Sequence, residues 1–489
     1  MLPILVATFG SIFAFLSLMR WRKGFVYLLW FITVAGGLSL SLRGTGLQLL
    51  GPLQKDFFFV LPIYVGFLLA GRHALGHSKV PPLILLLLAA LALLVILQTA
   101  NPSVYSPLVA AIGVKVWLLY IPLIFVTGGY LDDRDRLIRL MRVMMLTAVL
   151  PSLVGLLQWF LAGIMGLKGA ISLFYAEETA RAATQGFVAF DYGGIFYRIP
   201  STFSFATQYY AFTLTMIVPA MIVMRLDPEA KWRFLGKLIL LLVVAAAILS
   251  GSRSAFVFVP FLLLAILVCD GSIRGSIGAV MLFPPVLIGV VNLAGFDLVS
   301  MLGQVTKLGV NYGSEIAAGG PLEAMNLYPL GIGTGMNTGA ARYALEGATT
   351  ATTGVITFES YYAKAIVELG FLGVILIAGL FAALVLTGFS LRRRLQDPYL
   401  RAVAGAMVAF IGVIAVNSTK GWILDIDPVN VYFWIFVGIL FRLPALDHQP
   451  AADPHSSDAT ATLHPFLKSL NRPPTILGQR GHQQLRRVS

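Results

Sequence analysis

Long uninterrupted apolar runs, rather than alternating or one-sided patterns, set the rhythm of this chain. The run PPLILLLLAALALLVILQ (81–98) contains no charged residue. Crossing a ~30 Å hydrocarbon core takes about 20 helical residues, and lipid offers the backbone no partner outside a helix or closed barrel. The pattern predicts spans near 2–19, 24–42, 57–71, 80–98, 113–129, 143–165, 206–224, 238–250, 254–269, 277–294, 358–388, 402–417 and 428–443. The expected fold is an all-α polytopic membrane helix bundle of about twelve or thirteen transmembrane helices, with two long extracytoplasmic loops, 166–205 and 295–357. Residues 1–79 read as N-terminal transmembrane helices and 80–443 as the main transmembrane domain. The segment 444–489 is rich in Pro, His and Arg, lacks periodicity and reads as a disordered cytoplasmic tail. Residues 2–19 lack a basic leader and a small-residue cleavage site, so they read as a retained first helix.

Composition agrees with that pattern. Of 489 residues, 58% are apolar and 12% charged, against roughly 25% charged in a soluble domain, and the mean hydropathy is +0.85. The net charge of +13 would point to nucleic acid in a soluble protein. In a chain of spans it is topogenic, and no nucleic-acid partner is expected. Loops 20–23, 71–79, 130–142, 225–237, 270–276 and 391–401 hold 18 Lys/Arg in 57 residues, whereas the alternating loops hold 9 in 144. The first set is assigned to the cytoplasm. Cys269 is the single cysteine, which excludes an internal disulfide and a thiolate metal site.

Basic residues on the outer side do not serve to orient the protein, so they are the first candidates for chemistry. Lys55, Lys168 and Lys307 read as solvated surface charges, Lys420 lies in an outer loop, and Lys115 and Lys364 lie near outer ends of spans. Arg253 differs, because SGSRSAF (250–256) joins two apolar spans with almost no loop. A boundary guanidinium is costly unless paired, and small neighbours plus a helix amino end make an anion site. Arg198 lies in FYRIPSTFSFATQYY, just before a span. Arg342 follows GIGTGMNTGAARY, whose glycine spacing lacks the preceding strand of a nucleotide-binding loop. The outer carboxylates include Asp191 and Glu359, with Glu368 deeper. Lys364 and Glu368 are four apart and are placed to pair. The apolar segment 358–388 would measure about 46 Å as one helix, so its first turns are expected to project outward, carrying Glu359 to the interface.

Four features in order, QTANPSVYSP (98–107), RIPSTFSFATQYYA (198–211), SGSRSAF (250–256) and the pairing of GIGTGMN (331–337) with ESYYAKAIVELGFLGV (359–374), resemble the O-antigen ligase and polymerase superfamily of bacterial envelope glycosyltransferases. The resemblance covers roughly residues 80–440. It implies a polyprenyl-diphosphate-linked glycan donor, undecaprenyl diphosphate being the carrier, and a glycan acceptor on the outer face of the inner membrane. It also implies other polysaccharide-assembly proteins, such as a chain-length regulator, as partners. Arg198 and Arg253 would hold the diphosphate, with Arg342 a weaker third, since arginine forks suit phosphate. Ligases of this family carry a histidine just before the long helix, where this chain has Glu359. That difference favours a polymerase, with Glu359 as general base and Asp191 as its substitute. No cofactor and no metal are implied. The alternatives are a ligase and, in another class, a transporter of polysaccharide or lipid-linked sugar.

Overall fold

The computed structural model describes residues 2–42, 48–70, 79–175, 188–191, 195–271, 320–338, 358 and 360–448. The described residues, as far as His448, belong to one compact unit. The helices are α1 (Leu2–Met19), α2 (Trp21–Ser41), α3 (Leu61–Leu69), α4 (Pro82–Leu97), α5 (Pro107–Leu118), α6 (Leu123–Tyr130), α7 (Arg134–Thr147) and α8 (Val149–Ser172). They continue as α9 (Ala206–Leu226), α10 (Ala230–Leu249), α11 (Ala255–Asp270), α12 (Pro321–Leu327), α13 (Tyr361–Arg394), α14 (Pro398–Asn417) and α15 (Val429–Asp447). One short antiparallel hairpin, β1 (Val188–Asp191) with β2 (Ile195–Tyr197), interrupts the helical order.

The fold is therefore an all-α polytopic membrane bundle. Ten helical segments among the described residues are long and apolar enough to cross a membrane, and two shorter apolar helices, Thr8–Met19 and Ala255–Asp270, accompany them. These fall on the expected spans, except that 277–294 lies outside the described residues and 358–388 differs in shape. The expected tail also lies outside them from residue 449, while α15 carries the last span as far as Asp447. Helix starts follow local chemistry. Asp133 caps α7 through the Arg136 amide, Asp397 caps α14 through the Tyr399 and Leu400 amides, and proline opens α4, α5 and α14, where a missing N–H costs nothing.

α9, α14 and α15 form the centre of the bundle, buried along most of their length, whereas α4 turns most of its surface outward. Lipid tails are as apolar as leucine, so close packing rather than water expulsion holds such a centre together. A chain of tilted and edge-on rings runs through it from Phe203 to Phe212, Tyr432, Phe436 and Phe410.

The two sets of loops gather at opposite ends. At one end Arg22 pairs with Asp132 (2.9 Å), Arg142 with Asp227 (2.7 Å), Arg225 with Asp270 (2.6 Å) and Arg134 with Asp397 (3.1 Å). At the other, backbone bonds join Gly37 to Thr202, Ile199 to Ser250, Thr334 to Gln98 and Tyr361 to Ser418. The first group joins loops rich in basic residues, and the second joins the loops poor in them to one another or to neighbouring span residues.

The segment 358–388 departs from expectation. A single straight helix with projecting first turns is not what forms. Gly370 takes φ 75° and ψ −170°, and α13 reverses there. The rings of Tyr362 and Phe381 lie 6.3 Å apart, although 19 helical steps would separate them by about 28 Å. The arm 361–369 thus folds back against 371–394. A side chain at position 370 would be strained by its φ and would meet the backbone of Pro329 and Leu330 within 3 Å.

Single-cysteine variants Ser103→Cys and Lys231→Cys, made with Cys269→Ser, test the two-ended arrangement. With the orientation given by the charge asymmetry, a membrane-impermeant maleimide labels position 103 in intact cells and position 231 only after permeabilisation. Labelling of both from one side contradicts it.

Candidate functional site

Breaking a helix inside a membrane frees backbone groups that lipid cannot satisfy. Here segment 329–333 satisfies them. The amides of Ile332 and Gly333 donate to the carbonyls of Val367 and Glu368 at 2.8 and 3.2 Å, and the Phe371 amide donates to Pro329 O at 2.9 Å. The glycine motif 331–337 then wraps the Glu368 side chain, which is fully buried. Its carboxylate accepts from Trp117 Nε1 (2.7 Å), the amides of Gly335 and Asn337 (3.0 Å each) and Thr338 Oγ1 (2.9 Å). The QTAN segment closes the assembly. Gln98 O accepts from the Thr334 amide at 3.2 Å, Gln98 Nε2 donates to Leu330 O at 2.7 Å, and Thr334 Oγ1 donates to Val95 O at 2.6 Å. The glycine loop is therefore a carboxylate cradle, and its anion comes from this chain itself.

Lys364 lies one turn before Glu368 and is fully buried as well. It pairs with Glu368 at 4.0 Å, as the spacing predicts, but its nearer partner is Asp425. A second group of charges lies close by. Lys55 binds Asp427 at 2.7 Å and Asp56 at 3.4 Å, Lys115 binds Asp56 at 2.9 Å, and Tyr120 donates to Asp56 at 2.7 Å. Lys55 is thus not a solvated surface charge: its side chain is 3% exposed, because the third span begins about two turns earlier than the hydropathy suggests and carries Lys55 and Asp56 inward. Asp56 and Trp117 both lie within apolar segments long enough to cross a membrane, Gly51–Leu69 and Pro107–Tyr130, so the band falls inside spans rather than in loops. Asp425 and Asp427 belong to the 418–428 turn. Burial pushes the Asp425 carboxyl up, against the pull of Lys364. Burial also acts on Asp427, but Lys55 and Lys115 outweigh it and hold that carboxyl below the usual range.

A different cluster forms beside this band from the two arginine motifs. The Ile199 amide donates to Ser250 O at 3.0 Å. Gly251, with φ 75°, lets the chain pass so close that a Cβ there would meet Tyr197 O at 2.3 Å and Arg198 Cα at 2.8 Å. Arg198 and Arg253 are therefore carried on two touching turns. The Arg198 guanidinium donates to Thr207 Oγ1 at 2.8 Å, and Lys420 Nζ donates to Ser254 Oγ at 2.7 Å, which adds a third cation. The same 418–420 turn accepts the Tyr361 amide through Ser418 O at 3.0 Å. Both clusters thus meet at this turn. The chain matches no protein-family model. No curated protein matches it significantly.

The expected site residues fall unevenly. Arg198 and Arg253 come together. Asp191 ends β1 and pairs with Ile195 on β2, the strand leading into Arg198. Glu359 lies outside the described residues, between Phe358 and Ser360, and Arg342 lies outside them too. Asp56, Asp425 and Asp427 were missed by the sequence reading. The available signal was a KD pair opening a span at 55–56 and a DID triplet at 425–427, between two apolar runs, where orientation demands no charge.

Glu368→Leu leaves four donors and Lys364 short of their acceptor. It is expected to cost about 3–5 kcal/mol, the scale for removing one partner of a buried pair, and to expose 331–338 to protease. Thermal unfolding and limited proteolysis of the purified protein measure both. An unchanged midpoint and cutting pattern remove Glu368 from this role.

Proposed function

We propose that this protein is a membrane glycosyltransferase that polymerises exopolysaccharide or O-antigen repeat units on the extracytoplasmic face of the bacterial inner membrane. Its donor is a glycan linked to undecaprenyl diphosphate. The observation that carries the reading is the meeting of RIPSTF and SGSRS, which gathers Arg198, Arg253 and Lys420 at the end of the bundle poor in basic residues. Transfer from a lipid diphosphate develops charge on the leaving oxygen, and fixed cations in a water-poor site stabilise it most. In the step itself an acceptor hydroxyl attacks the anomeric carbon, the bond to the diphosphate oxygen breaks, and a carboxylate takes the hydroxyl proton. Arg198 and Arg253 hold the diphosphate, with Arg342 as a third contact. Glu359 is the proton acceptor, one residue before the Ser360–Tyr361 start of the reversed arm, with Asp191 as its alternate.

A second reading, transport of a lipid-linked sugar, is favoured by the charges Lys55, Asp56 and Lys115 within spans, since intramembrane ionisable groups mark transport paths. The two readings separate in cells. Arg198→Ala and Arg253→Ala, expressed at wild-type level, are each expected to lower polymer yield by about 10²–10³-fold, the scale for losing one charge-stabilising donor. A gel of surface glycan reads this as loss of the ladder beyond one repeat. Glu359→Gln is expected to lose the ladder while lipid-linked repeat units accumulate outside. Unaltered ladders in both arginine variants sink the glycosyltransferase reading, and accumulation of repeat units inside the cell favours transport.

A further inference from the structure

Three ammonium groups and four carboxylates share the buried polar band. Lys55 and Lys115 balance Asp56 and Asp427, whereas among the described residues Lys364 is the cation that pairs with both Glu368 and Asp425. The triad of Lys364, Glu368 and Asp425 therefore carries one negative charge in excess when all three groups are ionised. An uncompensated charge at this depth is expensive, and a buried group neutralises sooner than it stays bare.

Geometry singles out which group takes the proton. Glu368 is surrounded by donors, and three of the four, the indole and two amides, have no lone pair with which to accept from a carboxyl hydroxyl. Such a setting offers almost nothing to accept a carboxyl hydrogen. The Lys364 side-chain nitrogen lies 4.5 Å from the centre of the Trp117 ring and 5.8 Å from that of Tyr361, a cation–π placement. Asp425 has neither kind of support. Its side chain is 10% exposed, Oδ2 accepts from Lys364, and Oδ1 is buried with no hydrogen-bond partner among the described residues. Among the described residues, Lys364, Glu368 and Tyr361 from α13 and Asp427 from its own turn act on it, and the same turn carries Lys420, which binds Ser254. Lys55, Lys115, Asp56 and Tyr120 stand behind Asp427.

We propose that Asp425 is a proton-binding site whose Oδ1 carries an exchangeable proton, leaving the Lys364–Asp425–Glu368 triad neutral in the resting protein. Burial of the group acts in the same direction. The folded chain binds this proton more tightly than the unfolded chain does. Its contribution to stability is therefore full at low pH and is lost as pH rises through the raised Asp425 value. The site does not depend on glycosyl transfer and is measured without substrate.

Infrared spectroscopy of the purified wild-type protein at neutral pH is expected to show the carbonyl stretch of a protonated carboxylic acid. The band moves in heavy water and under carboxyl-¹³C labelling of aspartate, but not of glutamate. Asp425→Asn removes it. Thermal midpoints taken between pH ~4, near the ordinary aspartate value, and pH ~8 are expected to fall less steeply in Asp425→Asn than in wild type. No acid carbonyl band in the wild-type protein, or a band that follows glutamate labelling, overturns the proposal without needing any variant. A sodium-dependent rise in midpoint at fixed pH, lost in Asp425→Asn, overturns it in favour of a bound metal cation.

Discussion

A carboxylate buried behind a reversed helix organises the end of this molecule that is poor in basic residues. Once the chain turns back at Gly370, the carbonyls of Val367 and Glu368 and the amide of Phe371 need partners that lipid cannot supply. Segment 329–333 provides all three. Glu368 then draws residues 335–338 around itself, and its four donors come from Trp117 of α5, two amides of the glycine motif and Thr338 just after it. A half-satisfied polar group at this depth costs more than an apolar one. The arm 361–369, the loop 331–338 and the QTAN turn therefore stand or fall together.

The 418–428 turn is where that assembly meets the arginine-bearing turns. Ser418 receives the Tyr361 amide, Asp425 receives Lys364, and Lys420 reaches Ser254. Two kinds of polar chemistry sit side by side as a result. The charges of the buried band compensate one another almost completely and serve the architecture. Arg198 and Arg253 are carried on the adjoining turns, where cations are not required for topology. A diphosphate on a lipid carrier fits that placement, because its headgroup reaches the outer boundary while its chain stays in the membrane.

The sequence made the spans and the two-ended order legible, since both rest on local composition: long apolar runs and the density of Lys/Arg between them. The contact between 198–200 and 250–252 was legible as two candidate arginines, though not as one surface, because nothing local joins positions some fifty residues apart. The reversal at Gly370 was not legible. A glycine inside an apolar run costs only about 1 kcal/mol in a helix, so ELGFLG reads as an ordinary helix interior. The positive φ that breaks it is fixed by residues 329–333, some forty positions upstream. Lys55 was misread for a similar reason, as its partner Asp427 lies at the far end of the chain. A lone lysine at a span boundary looks solvated until the opposing carboxylate is seen.

The central claim, that this outer end joins glycan units from a lipid diphosphate donor, is tested most directly with the purified protein in lipid vesicles supplied with polyprenyl-diphosphate-linked repeat units. Lengthened lipid-linked glycan is the predicted product, with one free polyprenyl diphosphate released for each new glycosidic bond. Movement of the lipid-linked units across the bilayer with no new glycosidic bond contradicts the account.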